Sequence, residues 1–203
     1  MSTARLRSIA IPFALLVSFN VTASAQTAPD VATAPKASIA LEADVLAYGV
    51  NGYSGIVNLS LRNGLQVAFG SGRYDVPTFL VKGDANYDLA RWKATSTSIQ
   101  VLRVSWRING PMHNGPAIGA IVLNQHWHMR SETLHGETTF QPLSTGLTGG
   151  YYLHLGKHFY VYPTAAFTYN KVVSGSTAIN GTNYKVAKFG PNASLHMGWE
   201  MAW

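Results

Sequence analysis

Over 193–203 the chain reads ASLHMGWEMAW, and its apolar residues fall on every second position. Ala193, Leu195, Met197, Trp199, Met201 and Trp203 share one face, while Ser194, His196, Gly198, Glu200 and Ala202 share the other. This is the period of two that belongs to a β-strand. The pattern returns in segment after segment from residue 38 onward, and long amphipathic helical patterns are absent. A chain of two-faced strands is decided by which face it turns inward.

Eight strand segments can be marked, at 39–48, 55–62, 65–71, 97–108, 116–129, 139–155, 158–170 and 184–203. Their links alternate in length. Asn63-Gly64 joins the second and third segments with a hairpin signal. NGPMHNG at 109–115 joins the fourth and fifth, and little more than Gly156-Lys157 joins the sixth and seventh. The other links, at 49–54, 72–96, 130–138 and 171–183, are longer; within them a short helix fits only at 87–93. Short turns on one side and long loops on the other are the pattern of a bacterial outer-membrane barrel, with the short turns periplasmic. The expected fold is all-β: an eight-stranded antiparallel up-and-down transmembrane β-barrel over 38–203.

The faces support the same arrangement. On the fourth segment Leu102, Val104, Trp106 and Ile108 alternate with Arg103, Ser105 and Arg107. On the fifth, Ile121, Leu123, Trp127 and Met129 alternate with Asn124, His126, His128 and Arg130, and the apolar set is expected to face lipid. A soluble, lipocalin-like periplasmic barrel holding a small ligand is the rival architecture, and it needs a charged exterior. Only 12% of the chain is charged. The mid-strand charges Glu42, Asp44, Arg62, Arg103, Arg107 and Glu200 all lie opposite the aromatic face.

The first residues read as a secretory signal peptide at 1–25, cleaved after Ala25. Arg5 and Arg7 precede an apolar run from Ile9, and Ala23-Ser24-Ala25 is a small-residue cleavage site. Pro12, Ser18 and Asn20 make that run a poor membrane span, which takes about 20 apolar residues. Residues 26–37, rich in Pro, Ala and Thr, read as a flexible periplasmic lead-in. Cleavage leaves 13 basic residues against 9 acidic ones, a net +4 too scattered to indicate nucleic acid. Cysteine is absent, so disulfides, thiolate metal sites and a lipoprotein anchor are excluded.

The stretch HMGWEMAW resembles the C-terminal signal of bacterial outer-membrane barrels. His196 stands at its polar position, followed by Gly198, Met201 and the terminal aromatic Trp203. Phe is the more usual final residue, and His is a variant at the polar position. The resemblance implies handling by periplasmic chaperones and by the machinery that inserts barrels into the outer membrane. It covers the last eight residues as a motif and 38–203 as architecture, that of small eight-stranded outer-membrane barrels.

A barrel of eight strands has an interior just wide enough for its own side chains. The residues expected inside are Glu42, Asp44, Asn58, Ser60, Arg62, Gln66, Arg103, Ser105, Arg107, Asn124, His126, His128, Tyr152, His154, Tyr160, Tyr162, Ser194, His196 and Glu200. Closure of the first strand on the last would gather Glu42, Asp44 and Glu200 on one wall, with the arginines opposite. The expected result is a plugged polar lumen without cofactor, and a structural or surface-interaction role exercised through extracellular loops in contact with outer-membrane lipid and lipopolysaccharide.

Two sharper chemistries compete with it. His126 and His128, with Cα atoms about 6.5–7 Å apart, could hold a zinc ion given a third ligand. Families of small barrels also include enzymes that transfer or remove acyl chains on lipid A, for which Ser131, Glu132 and His135 supply the residue types without a recognised motif. Trp106, Trp127, Trp199, Trp203 and Tyr169 are expected to form interfacial girdles.

Overall fold

The computed structural model describes residues 36–82 and 84–203. The expected signal peptide and nearly all of the lead-in lie outside the described residues; Ala37, the last residue assigned to the lead-in, already belongs to the first strand. The strands in chain order are β1 (Ala37–Asp44), β2 (Tyr53–Leu61), β3 (Leu65–Val76), β4 (Trp92–Arg107), β5 (Gly115–Ser131), β6 (Gly136–His154), β7 (Phe159–Gly175), β8 (Ala178–Ile179), β9 (Thr182–Asn183) and β10 (Phe189–Ala202). Eight of them form a closed antiparallel barrel in which chain neighbours pair and β1 closes on β10, with Ser38 opposite Ala202 and Asp44 opposite His196. β8 and β9 form a separate two-stranded ribbon.

The short turns follow from local chemistry. Gly64 takes φ +87° between β2 and β3, and a Cβ there would come within 2.2 Å of the Arg107 carbonyl, so the turn requires glycine. β1 ends earlier than its pattern suggests because the Asp44 carboxylate accepts the N–H of Leu46 at 3.0 Å and starts the helix α1 (Val45–Gly49). The link between β3 and β4 holds two short helices, α2 (Thr78–Val81) and α3 (Tyr87–Ala90), where one was expected.

The third of the expected long links is not long. β5 runs to Ser131 and β6 starts at Gly136, leaving only 132–135 between them. Pairing continues past the apolar part of both strands, with Arg130 opposite Glu137 in a favourable cross-strand pair.

Burial alternates along every barrel strand, and it puts polar groups inside. Glu42, Asn58, Gln66, Arg103, Arg107, Tyr160 and Glu200 are buried in the lumen. On the outside Leu41, Phe69, Ile118, Leu147, Phe167 and Trp199 are between 52% and 69% exposed. Among the described residues no helix is long and apolar enough to cross a membrane.

One strand, β5, departs from the expected facing, while β4 keeps its expected faces over 102–107 and carries a bulge before them. In β4, Thr97 is an extra residue: Ser96 lies opposite Trp127 and Ser98 opposite His126. The bulge shifts the parity, so Trp92, Ala94 and Ser96 share the inner face with Ile99 and Arg103. In β5 the expected faces are reversed. Ile121 lies opposite Arg103 and Leu123 opposite Val101, which fixes them inside, while Ile118 and Val122 face outward. Asn124, His126, His128 and Arg130 therefore project outward, above the apolar band of the wall.

Candidate functional site

The lumen is divided into two compartments along the axis. The one nearer the short turns is ionic. Arg103 Nη2 donates to both oxygens of Glu42, at 3.3 and 3.1 Å, and to Asn58 Oδ1 at 3.0 Å, while the Tyr160 hydroxyl donates to Glu42 at 2.7 Å. Glu200 accepts from Arg107 Nη1 at 2.7 Å, Ser38 Oγ at 2.5 Å and His154 Nε2 at 3.0 Å. Gln66 Oε1 takes hydroxyl protons from Ser105 and Tyr152, at 3.0 and 2.8 Å. A buried charge is costly unless paired and hydrogen-bonded, and both carboxylates meet that condition several times over.

Rings fill the space between the charges. Tyr152 and Tyr162 stack with centroids 3.9 Å apart, Arg107 sits 3.9 Å over Tyr152, and Arg103 lies 4.9 Å from the centroid of Tyr162. These are cation–π contacts in a water-poor interior. Gly198 makes room for Tyr160, whose Cζ would stand 2.3 Å from a Cβ at that position. The glycine of the terminal pattern thus has a packing role in the lumen.

The compartment at the loop end is apolar. Trp92, Met129 and Phe140 point in from the strands, and Val81 of α2, Ala90 of α3, Ile179 of β8 and Tyr184 close over them from the loops. Trp127 packs on this cluster, with its ring 5.7 Å from Phe140 and 6.4 Å from Tyr184. Burial pushes the Tyr184 hydroxyl up to about 12. The loops are also cross-bonded: Trp92 Nε1 donates to Asp84 at 3.2 Å, the Lys185 N–H to Asp84 at 2.7 Å, Asn86 Nδ2 to the Asn183 carbonyl at 2.7 Å, and Asn180 Nδ2 to the Leu134 carbonyl at 2.8 Å.

Of the expected lumen network, Glu42, Arg103, Arg107, His154, His196 and Glu200 come together, with His196 Nδ1 3.8 Å from Glu42. Asp44 shares the inner face with its cross-strand neighbour His196, half-buried, but turns its carboxylate to capping α1. The others lie elsewhere. Arg62 is exposed, in the turn between β2 and β3, because β2 ends one residue before it. Asn124, His126 and His128 are on the outer face, for the reason of parity given above. Ser38, which the sequence reading left out of the lumen, is buried against Glu200.

The two sharper chemistries find no assembled site. Gln141 Nε2 contacts His126 Nε2, and His128 Nε2 lies 3.1 Å from Glu137. Among the described residues no group of three or more His, Cys, Asp or Glu is placed to hold a metal ion. Ser131 is buried, its hydroxyl donating to the Ala90 carbonyl and accepting the Leu134 N–H at 2.9 Å. Glu132 pairs with Lys93 at 2.5 Å, and that ammonium holds its carboxyl below the usual range. His135 is exposed on a left-handed turn, φ +48°. Trp106, Trp199, Trp203 and Tyr169 stand on the outer surface as girdle residues would, whereas Trp127 belongs to the apolar compartment.

No protein-family model matches the chain, and no curated protein matches it. Solved structures do. Neisserial surface protein A is 12% identical, with a TM-score of 0.43, over 82% of this chain and 94% of its own. The N-terminal β-barrel domain of Pseudomonas aeruginosa OprF is 12% identical, with a TM-score of 0.49, over 81% and 96%. A major outer membrane protein from Thermus thermophilus is 10% identical, with a TM-score of 0.50, over 81% and 99%. At such identities what is shared is the fold, and this chain has the fold of the small eight-stranded barrels found among outer-membrane proteins.

Proposed function

We propose that the chain is an exported, integral outer-membrane barrel whose lumen is closed to solutes and whose role is structural or surface-interactive, exercised at the loop end. The observation that carries this reading is the inverted wall. Large apolar side chains stand on the outer surface of every barrel strand, while Glu42, Arg103, Arg107 and Glu200 are buried within. In water that arrangement would expose a continuous apolar belt; in a bilayer it is the stable one. The short-turn end is then periplasmic, the signal peptide is removed after Ala25, and the stretch bearing His196, Gly198, Met201 and Trp203 is the part offered to the insertion machinery by periplasmic chaperones. The two lumen compartments in series support a closed pore, since rings pack together in the loop-end one and the arginines lie over Tyr152 and Tyr162 and pair with Glu42 and Glu200 in the other.

The test is heat modifiability. Full-length protein expressed with its leader is expected in the urea-washed outer-membrane fraction, with a gel mobility that changes on boiling. A heat-indifferent protein in the aqueous periplasmic extract would overturn the reading and turn attention to a soluble barrel.

A further inference from the structure

We infer that the barrel carries a binding site for a phosphorylated lipid of the surrounding leaflet, in a cleft between the upper edge of β7 and the segment that descends to β10. The inference rests on the proposed membrane reading and adds a specific ligand class and place to it. β10 pairs with β7 only as far as Phe189 opposite Tyr169, while β7 itself continues to Gly175. The last links across both come from Asn170, its N–H to the Lys188 carbonyl at 2.7 Å and its Nδ2 to the Ala187 carbonyl at 2.9 Å. Beyond them the descending segment is drawn away from β7, because the Lys185 N–H is held by Asp84 in the link between α2 and α3. The wall parts there and leaves a cleft of about 330 Å³.

The chemistry of the cleft is two-sided. Its apolar lining is Val172, Tyr184 and Val186, buried or half-buried, and its cations are Lys171 and Lys188, both exposed, with no carboxylate in the lining. Directly below, Phe167, Tyr169 and Phe189 form an aromatic shelf, with Phe189 6.1 Å from Phe167 and 5.3 Å from Tyr169. Aromatic shelves of this kind sit at headgroup level. Two exposed lysines, two residues past Tyr169 and one before Phe189 along the chain, beside an apolar slot, match a lipid whose phosphate is attached close to its acyl chains. A free phosphate would use the lysines but not the slot, and a neutral amphiphile the slot but not the lysines.

The experiment uses the purified full-length barrel in mild detergent, with native mass spectrometry reading the bound lipid. Diphosphorylated lipid A is expected to bind, and Lys171→Ala with Lys188→Ala to weaken it about tenfold or more, as two lost charge contacts near a membrane surface would. Lys157→Ala, at the opposite rim, is expected to leave binding unchanged. Dephosphorylated lipid A is expected to bind as poorly as the double variant does, and inorganic phosphate not to compete. Equal binding by wild type and double variant, equal binding of the two lipids, or displacement by inorganic phosphate would each overturn the inference. A heat-modifiable wild-type barrel that binds no lipid A removes the site and leaves the membrane reading standing; a barrel that needs no detergent removes both.

Discussion

The lumen charges show how much a single side chain can carry. Glu42 is held by Arg103 and Tyr160, and Glu200 by Arg107, Ser38 and His154. Removing one partner leaves its opposite charge in place with no route to solvent. Arg103→Ala is expected to cost about 3–5 kcal/mol of stability, read as a lowered urea midpoint of the folded band in lipid vesicles. The double variant Glu42→Gln with Arg103→Met is expected to recover most of that loss, since no lone charge then remains. A double variant as unstable as the single would mean that the arginine acts through packing over Tyr162 rather than through its charge. Most of this network was legible, because alternation alone places Glu42, Arg103, Arg107 and Glu200 on one side of their strands. Ser38 was not, since the expected first segment begins at 39 whereas β1 begins at Ala37.

At the level of the element, β5 is where alternation misled. Both of its faces hold apolar residues: Ile118 and Val122 outside in the lower half, Ile121, Leu123, Trp127 and Met129 inside along its length. A pattern of period two identifies the strand but does not choose between faces when each is apolar over part of the strand. The register against β4 chooses, because Ile121 lies opposite the buried Arg103. Thr97 in β4 was illegible for a different reason: a bulge is one extra residue in an otherwise regular pattern, and it shows only when the partner strand is known. The facing can be tested by charge. Val122→Arg is expected to destabilise the barrel in vesicles by about 2–4 kcal/mol, the cost of a charge deep on a lipid face, whereas His126→Arg, above the apolar band, should cost about 0–1 kcal/mol. If His126→Arg proved the more damaging of the two, the strand would face as its sequence first suggested.

For the whole molecule, strand number, antiparallel order and closure were all readable, since turns and alternation are local signals repeated eight times over. The loop-end compartment was not. Its members come from β3, β4, β5, β6, the helical link, the ribbon and the segment after it, and only the closed barrel brings them together. The link at 132–135 escaped for a related reason, because polar outward residues were read as loop where the hairpin merely rises past the apolar band. The cross-bonding of the loops through Asp84, Asn86 and Asn180 has a consequence for what the barrel displays. In the orientation proposed above, it welds the β3–β4, β5–β6 and β7–β10 links into a single knob, so the antigenic face expected of it is conformational. Sera raised against the folded protein are expected to ignore a free peptide spanning 77–91 in a binding assay, and sera raised against that peptide to stain intact cells poorly. Strong staining by the peptide sera would mean that the knob opens at the cell surface.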